Sequence, residues 1–191
     1  EWQDEWQVVP LDRVIEGIVR VYHPRVRRAV ALVDRSLREA NGRPRGFGTA
    51  FERANDLFSI FRSDLNAHLA DERALVFPVV RALAIGGDRA DGTASAVLSL
   101  ALRMEGTHDD VQARLREVSS ACSACHVTAV AADWAECARV VRGLSEALEA
   151  TLLMENGVLY PRAIALDHAG VSGDAPPRNQ RTARGATGGT A

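Results

Sequence analysis

The sequence predicts an all-α protein that folds as an up-down-up-down four-helix bundle. Hydrophobic residues make up 47% of the 191 residues and aromatic residues only 5%, a balance that favours helices over a β-sandwich. Long stretches with apolar residues at helical spacing alternate with short breaks that contain Gly, Pro or Asp. Helices joined by short connections pack antiparallel, so four such stretches predict a bundle.

The first two helices form one predicted hairpin. The first covers residues 11–40, and its apolar stripe stops at the sequence Asn-Gly-Arg-Pro that follows. The second covers residues 49–85. Pro78 lies inside this stretch and must kink or end the helix, because proline has no N–H and its ring clashes with the preceding turn.

The other two helices form a second hairpin that repeats the first. They cover residues 93–119 and 130–166, and Pro161 occupies the position in the last helix that Pro78 occupies in the second. Such a duplication predicts a bundle with a pseudo-twofold axis, in which equivalent residues of the two hairpins face each other.

The bundle is expected to occupy residues 11–168 of the chain. Residues 1–10 are a predicted N-terminal extension. Residues 169–191 lose the apolar pattern and are rich in Gly, Thr, Arg and Ala, so they are expected to be a disordered tail.

Composition excludes several partners. The net charge of −2 gives no electrostatic basis for binding nucleic acid. No apolar run reaches membrane-spanning length, so no membrane association is expected. Three cysteines do not suggest a disulfide framework, and no secretory signal is recognised, so a cytoplasmic location is expected.

A repeated pattern of histidine and glutamate is the most informative feature of the chain. His68 and Glu72 lie four residues apart and therefore share one helix face. Thr151 and Glu155 repeat this spacing, and in each hairpin an earlier helix carries a further histidine. The predicted metal ligands are His23, His68, Glu72, His108 and Glu155.

The pattern predicts a metal site in the bundle core, most simply a di-iron site. One such histidine–glutamate pair alone would more often be a solvent-exposed pair, but here it recurs and its neighbours on the helices are apolar. A buried, unpaired carboxylate is costly, whereas one bound to a metal is satisfied. Carboxylate-rich di-iron sites are built in bundle cores from residues that project inward from facing helices.

These residues resemble the hemerythrin-like (HHE) domains, and within them the repair-of-iron-centres di-iron proteins. The resemblance covers about residues 11–166, and its most specific part is the segment 155–163. The motifs that carry it are Tyr22-His23, His68-Leu69 with Glu72 and Phe77-Pro78, Met104 with His108, and Glu155-Asn156 with Leu159-Tyr160-Pro161-Arg162-Ala163.

The resemblance implies a ligand set and a function. Glu72 and Glu155 would bridge two irons, and His23, His68 and His108 would be terminal ligands. Members of the family repair iron–sulfur clusters, and related domains bind dioxygen, nitric oxide or peroxide. Iron–sulfur proteins and small diatomic or peroxide ligands are therefore the implied partners, and turnover is not implied by the ligands alone.

The chain departs from the family at one ligand. Thr151 stands where the family has a fourth histidine, so one iron would have fewer protein ligands. The site would then hold two irons with one labile, hold a single metal, or be a relic in a metal-free helical bundle that serves protein contacts. Glu105, three residues before His108, is either a partner that orients the histidine ring or a solvated charge.

The sequence Cys122-Ser-Ala-Cys125-His126 is a second motif. It matches the attachment signature of c-type haem, with two thioether cysteines and a histidine ligand. The two cysteines could instead be structural, form a redox pair or bind a separate metal. About 20 Å of helix separates Cys122 from His108, so His126 is a poor substitute for the missing histidine. Cys137 is expected to be a buried thiol.

Overall fold

The computed structural model describes residues 2–41, 48–85, 93–123 and 131–171. Within these ranges every regular element is a helix and there is no strand, which confirms the predicted all-α fold. The predicted breaks between helices fall largely outside the described residues, as does the part of the predicted tail from residue 172 onward. No helix of the described ranges is long and apolar enough to cross a membrane.

Four long helical arms, named A to D, build the bundle. Three of them are interrupted by one π-helical turn each. A short helix, α1 (Trp2–Gln7), precedes them. The arms are A, with α2 (Leu11–Gly17), π1 (Ile18–Tyr22) and α3 (His23–Asn41); B, with α4 (Gly48–Asp71), π2 (Glu72–Val76) and α5 (Phe77–Ala84); C, with α6 (Thr93–Ser123); and D, with α7 (Ala131–Met154), π3 (Glu155–Leu159) and α8 (Tyr160–Val171).

A polar layer divides the core of the bundle. Arm A packs mainly against arm D, and arm B against arm C. One buried apolar cluster fills the end near the A–B and C–D connections, with Phe58, Phe61 and Leu144 among its members. A second fills the opposite end around Ile15 and Phe77. The buried histidines and glutamates lie between these two clusters.

Each π-helical turn is followed by a proline. Pro24, Pro78 and Pro161 each come two residues after the last residue of π1, π2 and π3. Proline cannot continue the ordinary ladder of hydrogen bonds, and a wider turn before it accommodates the ring. The residue just before each proline donates its N–H to a carbonyl five residues earlier, as Tyr160 does to Glu155. The predicted interruption at Pro78 is therefore a π turn within a continuous arm.

The N-terminal segment packs against the bundle. The guanidinium of Arg162 in arm D donates a 2.7 Å hydrogen bond to the carbonyl oxygen of Trp6. The Trp6 ring lies so close to Gly17 that a Cβ on this glycine would stand 3.2 Å from the ring edge. Gly17 therefore provides the space in which α1 rests on arm A.

Candidate metal centre

The five predicted ligands converge in the polar layer. Arm A contributes one of them, arm B two, and arms C and D one each. None is more than 5% exposed, although all are ionisable. Charged and polar side chains are seldom buried to this degree without a partner. They are His23, His68, Glu72, His108 and Glu155.

Four of these residues form one compact group of donor atoms. One donor atom from each of His68, Glu72, His108 and Glu155 lies within 4.8 Å of the others. His68 Nε2 is 3.6 Å from Glu72 Oε1, and His108 Nε2 is 3.3 Å from Glu155 Oε2. Donors bound about 2.1 Å from a common ion lie roughly 3–3.4 Å apart, so the group is close to the size that a metal ion requires. We call it position 1.

The second oxygens of both glutamates face His23 on the other side. His23 Nε2 lies 3.2 Å from Glu72 Oε2 and 3.3 Å from Glu155 Oε1. Each carboxylate therefore directs one oxygen toward position 1 and the other toward His23. We call the group formed by His23 and these two oxygens position 2; it has three protein donors where position 1 has four.

Hydrogen bonds at the outer nitrogens orient two of the imidazoles. His68 Nδ1 lies 3.2 Å from the Thr107 hydroxyl, which itself donates to the carbonyl of Met104. The hydroxyl hydrogen is thus engaged, and His68 Nδ1–H is the donor in the first contact. This tautomer leaves Nε2 with a lone pair directed into position 1, as a metal ligand requires.

The same arrangement holds His108. Its Nδ1 lies 2.9 Å from the amide oxygen of Asn156, which accepts the ring N–H. The sequence pointed to Glu105 as a possible partner of this ring, but Glu105 is exposed. Neither Asn156 nor Thr107 was predicted as such a partner from the sequence, although Asn156 directly follows the predicted ligand Glu155. Such partners typically fix the ring and increase its basicity.

The electrostatics of the centre favour a cation. Burial raises the pKa of Glu155, and the charge of Glu72 raises it further. Burial lowers the pKa of His68 to about 4, so this imidazole is neutral at physiological pH. Burial also disfavours a charge on His23, but its contacts with Glu155 and Glu72 outweigh that effect and raise its pKa to about 9. A positive charge between the two carboxylates would thus stabilise their ionised forms, and a bound metal ion supplies such a charge.

Buried polar atoms that lack a hydrogen-bond partner indicate whether these residues could bind a metal ion. Glu72 Oε2, Glu155 Oε2 and His108 Nε2 are fully buried and make no hydrogen bond within the described residues. Native proteins rarely leave such atoms unpaired, because each costs roughly 1–3 kcal/mol. All three face the centre, and imidazole nitrogens with carboxylate oxygens are a donor set suited to iron. The residues present therefore fit a bound metal ion.

Thr151 contributes no donor to this set. It is buried, and its hydroxyl donates a 2.8 Å hydrogen bond to the carbonyl oxygen of Ala147 in the preceding turn. The residue four positions before Glu155 is thus satisfied within its own helix.

Tyr160 is a functional candidate that the sequence did not single out. Its side chain is buried, and its hydroxyl donates a 3.2 Å hydrogen bond to Glu72 Oε1. Its ring stacks on that of His108 at a centroid distance of 6.0 Å. Burial raises the pKa of the phenol far above its usual value, and the nearby glutamate charges raise it further, so the hydroxyl stays protonated. The signal in the sequence is the comparison of the two repeats, which have Phe77 before Pro78 and Tyr160 before Pro161.

The cysteine motif is only partly described. Cys125 and His126 lie outside the described residues. Cys122 is buried in the apolar cluster near the C–D connection, and burial raises the pKa of its thiol to about 12. Cys137, predicted to be buried, lies in the same cluster with its sulfur 3.1 Å from the Ser36 hydroxyl. Neither of these two cysteines belongs to the metal centre, and the haem and redox interpretations stay predictions.

One surface cavity reaches the metal centre from outside. It has a volume of about 500 Å³ and lies between arms B and C, with His68 and Thr107 among its lining residues. A larger cavity of about 1050 Å³ lies between the start of arm A and the ends of arms B and D, and no metal-centre residue lines it. The smaller cavity thus places open space beside His68.

The core of this all-helical bundle brings together histidines and glutamates from four arms. Helical bundles with such a core are the class that binds metals through carboxylate and imidazole groups. Residues 14–163 match the family model described as the hemerythrin HHE cation binding domain, and the chain belongs to this family, which binds iron. It is also similar to an iron-sulfur cluster repair protein, YtfE, from Cronobacter sakazakii. The two are 25% identical over 173 residues, which cover 85% of this chain and 70% of that protein.

Proposed function

We propose that this chain binds two irons of unequal stability and supplies the weaker one for the repair of iron–sulfur clusters. The observation that supports the proposal is the division of donors, with four at position 1 and three at position 2. Each glutamate contributes one oxygen to each position, whereas position 1 has two histidines and position 2 has one. The similarity to an iron-sulfur cluster repair protein supports the choice of function, and iron–sulfur proteins are the proposed clients.

The chain's own residues explain the inequality. His68 and His108 are held by hydrogen bonds at their outer nitrogens, and such preorganisation strengthens metal binding. His23 Nδ1 makes no hydrogen bond within the described residues. Position 2 therefore has both fewer donors and a less restrained imidazole. Iron held there exchanges more readily, which suits a protein that delivers iron.

A ligand-binding role at the same centre is the second candidate. Position 2 has fewer protein donors than position 1, and iron at such a position supplies open coordination sites for dioxygen, nitric oxide or peroxide. A cavity lined by His68 brings solvent to the side of position 1, and position 2 shares both glutamates with position 1. The apolar clusters on both sides of the polar layer restrict other routes.

Metal content after a chelator challenge tests the proposal. The protein is loaded with ferrous iron without oxygen, exposed to increasing concentrations of a chelator, and analysed for iron per chain by mass spectrometry. We expect two irons before the challenge and one at intermediate chelator concentrations. No uptake of iron would overturn the proposal and favour a metal-free interaction module. A Soret band in the absorption spectrum would instead favour the haem interpretation of the cysteine motif.

Two histidine variants assign the two irons. His23→Ala should remove only the weakly bound iron, because His23 Nε2 faces position 2 alone. His108→Ala should remove the strongly bound iron, because His108 Nε2 lies in position 1. His168→Ala is the matched control, since His168 is exposed in α8 and should leave both irons bound.

Repair itself is tested by transfer. The iron-loaded protein is mixed with a metal-free iron–sulfur client and a sulfide source, and cluster formation is followed by visible absorption. We expect His23→Ala to transfer much less iron than the parent protein, while His168→Ala transfers as much. Equal transfer by all three proteins would contradict delivery from position 2.

A further inference from the structure

The two halves of the centre differ in the aromatic residue that follows each glutamate. In arm B, Glu72 begins π2 and Phe77 follows it; in arm D, Glu155 begins π3 and Tyr160 follows it. Phe77 lies against the ring of His23, with the ring centroids 5.9 Å apart, whereas Tyr160 stacks on His108. The positions that follow the π turns of arms B and D thus carry the same six-membered ring, but the one in arm D adds a hydroxyl.

The added hydroxyl bonds the glutamate of the opposite half. Tyr160 donates to Glu72 Oε1, the oxygen that faces position 1, across 3.2 Å. The ring is buried and packed against His108, so the hydroxyl has little freedom to move. The π turn helps to place it, because the Tyr160 N–H is bonded to the carbonyl of Glu155, five residues earlier.

We propose that Tyr160 is a positioning residue that keeps the Glu72 carboxylate shared between the two metal positions. The hydrogen bond fixes Oε1 on the side of position 1, which leaves Oε2 directed at His23. Without this bond the carboxylate is free to turn both oxygens toward the ion at position 1, which has more donors. Position 2 would then lose one of its three protein donors.

This role matters because position 2 has no fourth donor. Thr151 supplies none, since its hydroxyl is bonded to Ala147. With only His23 and two shared carboxylate oxygens, position 2 depends on Glu72 more than position 1 does. The hydroxyl of Tyr160 therefore stabilises the ion at position 2, although it contacts the glutamate oxygen that faces position 1. The inference rests on the proposed two-position centre.

Cobalt(II) titration of the metal-free protein tests the inference. Cobalt(II) bound by imidazole and carboxylate gives visible absorption bands, and binding can be followed without any activity. We expect two binding steps for the parent protein. In Tyr160→Phe the first step should change less than about threefold, and the second should weaken by about tenfold or more, the effect typical of losing a residue that orients a ligand. Phe77 has the corresponding place after π2 in arm B, and the change removes only one hydroxyl group, so the variant should fold.

Two controls separate positioning from a general structural effect. Tyr22→Phe removes a hydroxyl from a partly buried tyrosine that packs against the same apolar cluster as Tyr160, and it should leave both steps unchanged. The melting temperature of each metal-free variant should stay close to that of the parent protein. The inference is overturned if Tyr160→Phe leaves both steps unchanged, or weakens both equally with a lower melting temperature. Failure of the parent protein itself to bind cobalt would overturn the metal centre as a whole.

Discussion

The hydroxyl of Thr151 donates a hydrogen bond to the carbonyl oxygen of Ala147, 2.8 Å away in the preceding turn of the same helix. Threonine side chains commonly satisfy themselves in this way inside helices. The bond explains how a threonine is accommodated at a buried position of the polar layer. It also means that the hydroxyl is not held in place by the metal centre, so Thr151 can be replaced without removing a ligand.

Restoring a histidine at this position should strengthen the weaker metal. In Thr151→His we expect both irons to survive a chelator concentration that removes one from the parent protein. Residue 151 repeats the place of His68, four residues before a glutamate, and His68 lies in position 1, so the added imidazole is expected to serve position 2. Thr151→Val is the control; it matches the shape of threonine without adding a ligand and should behave as the parent does. Iron per chain after the challenge is the measurement. A histidine variant that still loses one iron would contradict the location of position 2.

The sequence was sufficient to predict the fold and to select the five residues that converge. Helical periodicity predicted the arms, and the four-residue spacing of His68 and Glu72 predicted that they share a face. Spacing within one helix could not show how the arms are rotated about their axes. The division of each carboxylate between two positions and the bond from Tyr160 to Glu72 depend on that rotation, and so they appear only in the structure.

The π turns could not be predicted from the sequence either. Pro78 and Pro161 predicted an interruption, but a kink, an end or a widened turn are all compatible with a proline. Packing on both sides decides among them: apolar clusters before and after each turn hold the arm as one continuous element. The π turn that ends directly before His23, a predicted ligand, was not predicted at all.

Cys122 should resist alkylation in the folded protein. Its thiol is buried, and burial raises its pKa to about 12, so almost none of the reactive thiolate is present at pH 8. After brief treatment with iodoacetamide, we expect peptide mass spectrometry to find Cys122 unmodified in the native protein and fully modified in denaturant. Rapid modification of the native protein would show that the thiol leaves the core. That result would favour the haem or redox interpretations of the motif.

Glycine-to-alanine substitutions should distinguish the packing of the N-terminal helix from ordinary helix propensity. Gly143 has open space around its Cα, so Gly143→Ala should raise the free energy of unfolding by about 0.5–1 kcal/mol. Gly17→Ala should gain less or destabilise the protein, because the new methyl group meets the Trp6 ring at 3.2 Å. Denaturant unfolding followed by tryptophan fluorescence measures both. Equal stabilisation by the two variants would contradict the packing of Trp6 on arm A.

Filling the cavity beside His68 should slow metal loading without changing how much metal is bound. Ala67 lines this cavity and is exposed on arm B, so a larger side chain there obstructs the approach to His68 without entering the core. We expect Ala67→Phe to take up cobalt(II) several-fold more slowly than the parent protein in stopped-flow absorption, with the same final spectrum. Ala70→Phe places the same ring on an exposed position of the same helix that does not line the cavity, and its loading rate should be unchanged.

Equal loading rates for the two variants would show that ions enter by another path, for which the ends of the bundle are the alternative. A changed final spectrum would show instead that the phenylalanine had disturbed His68 itself, since this imidazole belongs both to the cavity wall and to position 1.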